Sequence, residues 1–378
     1  EKWQGASGRM QRGEQILKKT INLTIATDIK GQGGIATVLG VYQQSGFLAD
    51  NAVRLIATHS TNNRLGRVGA LLLYISALVK VLFYFAFYRV GLAHIHVASR
   101  GSYLRKSVLV RLIKALGGNV ILHLHGAEFR DFYANECDEN RKKHIRDTFE
   151  MSDVVIVLSS QWIDWARATF HRSEHFQLVY NAVPSLELEA SSTSSSTISF
   201  LGRVGERKGV HDLLKAMVRV KRHCPDAKLM IGGDGDVEKY RAMARDLGLE
   251  SHVEFLGWVS GQRKLDVLRQ TQIYCLPSYN EGFPMGVLEA MSAGIAVVST
   301  YAGGIPDAIS HGKEGTLVEA GDSEALADAL IELLINQDMN QNYIQNAKQK
   351  FDEHFSVQAI IPQVQRIYDA VLLQRSRA

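Results

Sequence analysis

Two glutamates eight positions apart, Glu281 and Glu289, lie in the chemically densest stretch of the chain, Tyr279-Asn280-Glu281-Gly282-Phe283-Pro284-Met285-Gly286-Val287-Leu288-Glu289. Pro284 and Gly286 prevent one helix from carrying both. Glu281 therefore belongs to a loop, and Glu289 to the first turns of the helix that follows. The amides of Met285, Gly286 and Val287 open that helix, where unpaired N–H groups and the dipole favour anionic oxygens. A second station, Gly202-Arg203-Val204-Gly205-Glu206-Arg207-Lys208-Gly209, sets two cations five residues apart before a helix. Arg203 offers a bidentate fork and Lys208 a point charge, a combination suited to a diphosphate. Taken singly, these residues read equally as a solvated loop acid, a partner for the helix dipole and a turn with incidental charges.

The first half of the chain holds two more stations. Asp28-Ile29-Lys30-Gly31-Gln32-Gly33-Gly34 follows an apolar run and feeds a helix, so its amides can face an anion. It is not a GxGxxG, and the second apolar run ends Ala57-Thr58-His59 with no acid, so the signal for a dinucleotide is weak. His123 and His125 share one face of a strand, and Gly126 lets the chain turn after them. A metal there needs a third ligand, and only Glu128 is near in sequence. The competing readings are buried, hydrogen-bonded histidine and a cleft-facing histidine that holds a hydroxyl or shifts protons near neutral pH.

These stations need a scaffold, and the apolar pattern supplies one. INLTIAT (21–27), VRLIAT (53–58), LAHIHV (92–97), NVILHL (119–124) and DVVIVL (153–158) have the length and β-branched content of buried strands. SSTSSST (191–197) breaks the rhythm as a linker. The pattern then restarts with ISFLG, KLMIGG, VEFLGW, QIYCLP, AVVST and GTLVE, separated by helical stretches. Two doubly wound α/β domains follow, residues 20–183 and 198–356, with a closing helix at 357–378 that returns to the first. Ligands of such sheets sit beyond the carboxyl ends of the strands, so the crevice becomes an interdomain cleft.

Composition sets outer limits. At 378 residues with 46% apolar and 22% charged residues, the chain is globular and long enough for two cores. The net charge is +4, of which +3 falls in the first nineteen residues (Lys2, Arg9, Arg12, Lys18 and Lys19 against Glu1 and Glu14). The charge therefore reads as a short basic leader rather than a face for nucleic acid. The nine residues before Met10 read as an appended tag. Cys137, Cys224 and Cys275 form no CxxC pair, which points to a reducing cytoplasm without a zinc site or disulfide framework. Residues 68–88, VGALLLYISALVKVLFYFAFY, contain only Lys80 as a charge and are flanked by Arg64, Arg67 and Arg89. The first expectation is a long, largely buried domain helix. A helix lying against the inner leaflet is second, and a true span is third.

In order and spacing, the four stations resemble the family 4 retaining glycosyltransferases, from about residue 21 to the final helix. The most specific parts are Arg203…Lys208-Gly209 and Glu281-Gly-Phe-Pro-x-Gly-x-x-Glu289, with Gly303-Gly304-Ile305-Pro306-Asp307 following. The resemblance implies a GT-B fold of two facing Rossmann-like domains. It implies a UDP-, GDP- or ADP-sugar as co-substrate, with no further cofactor. Arg203 and Lys208 would neutralise the leaving diphosphate, Glu281 would contact the transferred sugar, and Glu289 the ribose. His125 would contact the sugar near its reacting carbon, and Gly33 and Gly34 would lie near the diphosphate. Phe283, Met285, Gly286 and Val287 complete the donor stretch, while Asp234 and Val259 match segments on the nucleotide side. No DxD-like acidic pair stands beside these stations, so no metal is required. The acceptor implied is a saccharide or lipid-linked saccharide in polysaccharide or glycoconjugate synthesis. A sugar-nucleotide epimerase, a disaccharide phosphorylase and a non-catalytic nucleotide-sugar-binding module are the rival readings.

Overall fold

The computed structural model describes residues 19–31, 33–60, 66–188 and 196–377. The leader through Lys18, Met10, Gln32, Arg64 and most of the serine-rich linker lie outside the described residues.

The β-branched runs form two six-stranded parallel sheets. The first contains β1 (Thr20–Ala26), β2 (Val53–Ala57), β3 (Arg89–Val97), β4 (Asn119–Leu124), β5 (Val154–Val157) and β6 (Phe176–Leu178), ordered β2-β1-β3-β4-β5-β6. The second contains β7 (Thr197–Leu201), β8 (Lys228–Gly232), β9 (Val253–Gly257), β10 (Ile273–Leu276), β11 (Ala296–Thr300) and β12 (Thr316–Val318), ordered β12-β11-β10-β7-β8-β9. Among the strands, only β6 had no counterpart in the apolar pattern. Three residues are too few to show a period.

In both sheets the chain leaves the first strand in one direction and later returns on its other side. The first sheet thus has its switch point between β1 and β3, and the second between β7 and β10. Crevices for ligands open at such points, beyond the carboxyl ends of the strands. The glycine turn at 31–34 follows β1, the Arg203–Lys208 turn follows β7, and the Tyr279–Gly286 stretch follows β10. Topology alone therefore brings three of the four stations to the two switch points.

Both faces of the first sheet are covered. One carries Val110, Phe149 and Trp165 over Ile25, Ile95 and Leu122. The other receives the terminal helix Val357–Arg377, whose Ile360, Val364 and Tyr368 pack on Leu92, Ile121 and Ile156. Asn51 and Gln365 exchange side-chain hydrogen bonds of 2.8 and 3.1 Å, fixing the angle at which this helix returns.

The expectation of a largely buried helix over 68–88 is overturned. A helix forms at Gly66–Phe87, but only Ala77 and Val81 are buried. The helix touches its domain along one stripe, where Tyr74, Ala77, Leu78, Val81, Tyr84 and Phe85 pack on the first core. Most of its apolar surface is left without protein cover.

Candidate active site

Glu281 ends up buried, with 6% of its surface exposed, although it comes from a loop. Its carboxylate is ion-paired with the Lys208 ammonium and accepts a 2.6 Å hydrogen bond from the Ser278 hydroxyl. Backbone packing fixes this loop. Gly303 has φ +60°, and a Cβ there would lie 1.7 Å from the Glu281 carbonyl oxygen. Only glycine permits both the conformation and the approach. The Lys208 turn is tied to the same loop through the Tyr279 amide, which donates to the Arg207 carbonyl at 2.9 Å.

The helix Met285–Ser292 begins directly after this loop, with Pro284 at its N-cap. A Cβ at Gly286 would lie 2.1 Å from the Tyr274 hydroxyl, which in turn donates to the Leu201 carbonyl at 3.0 Å. Glycine thus lets the first turn settle onto the ends of β7 and β10, with its amides beside the Arg203 turn. Glu289, on the same helix, accepts a 2.6 Å ion pair from Lys264 of the Gly261–Arg269 helix. Arg203 is exposed and forms no ion pair among the described residues.

From the facing sheet, His125 stands at the end of β4. Its carbonyl oxygen lies 3.4 Å from where a Gly282 Cβ would stand, so the two stations meet across the cleft. Its Nε2 shares a 2.8 Å hydrogen bond with His96 Nδ1. Burial, with His94 and Lys106 nearby, pushes the His125 pKa down to about 3. It is therefore held as a neutral hydrogen-bonding group near pH 7. Gly33 and Gly34 are exposed at the entrance to the Gly34–Gln44 helix, with nothing within 4 Å of a Cβ at either position.

Other expectations change in detail. Glu128 turns away from His123 and His125, pairing with Arg100 at 2.5 Å and with Arg207 of the other domain at 3.6 Å. The metal set considered there does not assemble. His94, His96 and His123 instead bring ligand atoms within 4.8 Å of one another, with His94 Nε2 and His123 Nδ1 sharing a 3.1 Å hydrogen bond. The Phe283 side chain is not in the cleft but stacks on Tyr180 at 4.7 Å and packs near Phe355. Val259 is likewise buried, against Gly232, and its neighbour Trp258 is the exposed one. Val287 points into the core, leaving its amide at the helix start, and Met285 is half-buried. Asp234 is exposed, and its carbonyl accepts from the Val204 amide at 2.6 Å.

Sequence reasoning missed Ser278, Arg207 and Lys264. Ser278 and Arg207 flank residues already singled out. Lys264 sits 25 positions before Glu289 on a helix with no motif of its own, so nothing local announces it. The two domains also line an open pocket of about 420 Å³ beside the Glu281 loop, with Asp131, Gln161 and Trp162 on one side and Tyr279, Asn280 and Gly303 on the other.

Two facing doubly wound sheets with an interdomain cleft define a GT-B protein, and comparison with known proteins agrees. Residues 188–350 match the family described as glycosyl transferases group 1. The N-acetyl-alpha-D-glucosaminyl L-malate synthase of Bacillus anthracis is 28% identical over 294 residues, 74% of either chain. The phosphatidyl-myo-inositol mannosyltransferase of Mycobacterium leprae is 36% identical over 183 residues, so the match spans about half of it (48%). Among solved structures, Anabaena HepE in complex with UDP and glucose superposes with a TM-score of 0.72 at 19% identity, covering 93% of this chain and 100% of that one. Sucrose-phosphate synthase from Thermosynechococcus elongatus gives 0.77 at 18% identity, covering 94% and 100%. The chain has the GT-B fold, and its residues 188–350 are similar to the group 1 glycosyl transferases.

Proposed function

We propose that the chain is a retaining glycosyltransferase that moves a sugar from a nucleotide-diphosphate sugar to an acceptor hydroxyl. The observation that carries this reading is the convergence of Arg203, Lys208 and the Met285 helix amides at the β7/β10 switch point, with His125 of the facing sheet beside Gly282. In the reaction the bond from the anomeric carbon to the phosphate oxygen breaks, and one from that carbon to the acceptor oxygen forms. The nucleoside diphosphate leaves with the electron pair, and the acceptor proton passes to its departing oxygen on the same face. Positive charge grows on the sugar and negative charge on the diphosphate.

Arg203, Lys208 and the helix amides suit the second charge, since fixed donors need no reorganisation as it develops. The buried Glu281 carboxylate suits the first, and neutral His125 suits a sugar hydroxyl. Glu289, held by Lys264, is assigned to the ribose. With no DxD-like pair in these stations, we assign charge neutralisation to side chains and amides rather than to a metal. The acceptor, a saccharide or lipid-linked saccharide, would approach through the open pocket beside Asp131 and Tyr279. Three unpaired cysteines fit a cytoplasmic site of action.

The test is incubation with UDP-, GDP- and ADP-sugars, followed by measurement of nucleotide release and of the product's anomeric configuration. Release from one donor class, with configuration retained, is expected. Inversion would overturn the retaining assignment. A free epimerised sugar or a requirement for inorganic phosphate would favour an epimerase or a phosphorylase, and binding without turnover a sensing module.

A further inference from the structure

Between Asp50 and Glu128 the chain has ten Lys and Arg residues and not one Asp or Glu. The whole chain is +4 and this stretch is +10, so the remainder is −6. The larger share of the positive charge therefore lies in this stretch and not, as the leader suggested, at the terminus, with Arg100 and Lys114 pairing with acids from outside it and Lys106 buried. The region builds β2, β3, β4 and the helices Gly66–Phe87 and Gly101–Ala115, which touch where the Tyr74 hydroxyl donates to the Arg105 carbonyl at 3.1 Å. Leu71, Leu72, Val79 and Phe83 are 58%, 55%, 58% and 49% exposed, and Leu104 and Val108 continue the apolar surface on the second helix. Arg54, Arg67, Lys80 and Arg89 are exposed around it and make no ion pair among the described residues. Single exposed leucines need no explanation, but a contiguous apolar plate with a cationic border does.

We propose that this two-helix face docks on an anionic lipid bilayer, with the Gly66–Phe87 helix lying in the headgroup plane. Its aliphatic side chains would enter the acyl boundary, while the surrounding cations meet headgroup phosphates. Charge complementarity selects this occupant. A second copy of the same face would set unpaired cations against cations, and a nucleic acid would leave the central leucines and phenylalanine in water. A span is excluded by connectivity, since β2 and β3, on either side of the helix, belong to one sheet. Both helices begin after the carboxyl ends of β2 and β3, at the cleft edge, so docking sets the cleft mouth against the headgroups. This last point favours a lipid-linked acceptor and rests on the proposed function; the docking itself does not.

The test is co-sedimentation of the full chain with vesicles of phosphatidylcholine alone or mixed with phosphatidylglycerol. Pelleting with the anionic vesicles at least tenfold above the neutral ones is expected, weakening as salt screens the headgroups. Leu71→Ser/Leu72→Ser/Val79→Ser/Phe83→Ser should lose this binding, and Arg67→Gln/Lys80→Gln/Arg89→Gln should lose its preference for anionic lipid. Both variants should keep the wild-type unfolding midpoint, as the altered side chains are exposed. A wild-type chain that stays in the supernatant with both vesicle types would overturn the proposal. So would equal pelleting by the Ser variant, or a wild-type dimer in sedimentation velocity that the Ser variant converts to monomer. Loss of donor turnover with lipid binding intact would fault the functional reading and leave the docking standing.

Discussion

The Lys208 ammonium and the Ser278 hydroxyl converge on one oxygen of the buried Glu281 carboxylate. With the lysine side chain 15% exposed and the glutamate 7%, neither charge has much water to fall back on. Lys208→Met should therefore lower turnover by about 10²–10³, the usual cost of losing one fixed donor to a developing anion. It should also cost about 3–5 kcal/mol of stability, because Glu281 is left as an uncompensated buried charge. Adding Glu281→Gln should recover part of the stability and none of the activity. Denaturant unfolding and nucleotide-release assays on the two single variants and the double variant check this. Stability effects that simply add would show that the two groups are not coupled.

Lys264 acts on the proposed ribose contact through Glu289. Lys264→Met should leave the Glu289 carboxylate free to rotate and raise the donor KM about tenfold, roughly the value of one hydrogen bond to a charged group. The effect on kcat should be small, since the ribose is remote from the breaking bond. Lys264→Arg should restore much of the affinity. A fall in kcat at unchanged KM would place Lys264 nearer the chemistry than its geometry indicates.

The fold was legible because parallel strands buried on both faces must be continuous apolar runs, and ISFLG, KLMIGG and AVVST announce themselves that way. The site was legible where function requires special backbone, as at Gly303 and Gly286, or charge in a turn, as at Arg203 and Lys208. Side-chain direction was not. Phe283 and Val259 lie in the right segments, yet their rings and methyls serve the core, because a motif fixes the path of the chain and not which way each residue faces. The Gly66–Phe87 helix failed for the converse reason. Its composition suits a core, a bilayer and an interface equally, and only the packing, which buries Ala77 and Val81 and leaves Leu71, Val79 and Phe83 exposed, shows how little protein covers it.

Stability should fall as the pH drops below 6.5. His94 and His125 are pushed down to about 3 by burial, and His96 and His123 well below 6.5 by burial and by one another. Between 6.5 and about 3 the unfolded chain binds protons that the folded chain refuses, so the stabilisation is complete above 6.5 and lost on acidification. Each such histidine contributes a slope of up to about 1.4 kcal/mol per pH unit. Lys106, lowered to about 7 by burial and Arg105, adds the same sign in the alkaline range above 7. Denaturant midpoints taken from neutrality to about pH 5, before most carboxylates protonate, test this. A flat profile would mean that the rings take up protons within the folded chain.

Asp307 spans the two domains close to the Glu281 loop, four residues after Gly303. Its carboxylate accepts from the Ser160 amide at 2.6 Å and the Ser160 hydroxyl at 2.7 Å, tying the start of the Ser160–Thr169 helix of the first domain to the short helix Ile305–Ala308 of the second. Replacing a carboxylate that accepts from a helix N-terminus with alanine typically costs about 1 kcal/mol. Here the lost contact is also an interdomain tie, so Asp307→Ala should favour an opened cleft over the closed arrangement. The donor is bound by residues of both walls in the proposed function, and its affinity should fall about fivefold, as expected when about 1 kcal/mol of closure is removed. Asp307→Asn, which keeps one acceptor, should fall in between. Small-angle scattering with and without donor nucleotide, together with nucleotide titration, reads both effects. Unchanged scattering and unchanged affinity in Asp307→Ala would show that Phe283 and Tyr180, stacked at the hinge, hold the domains without this tie.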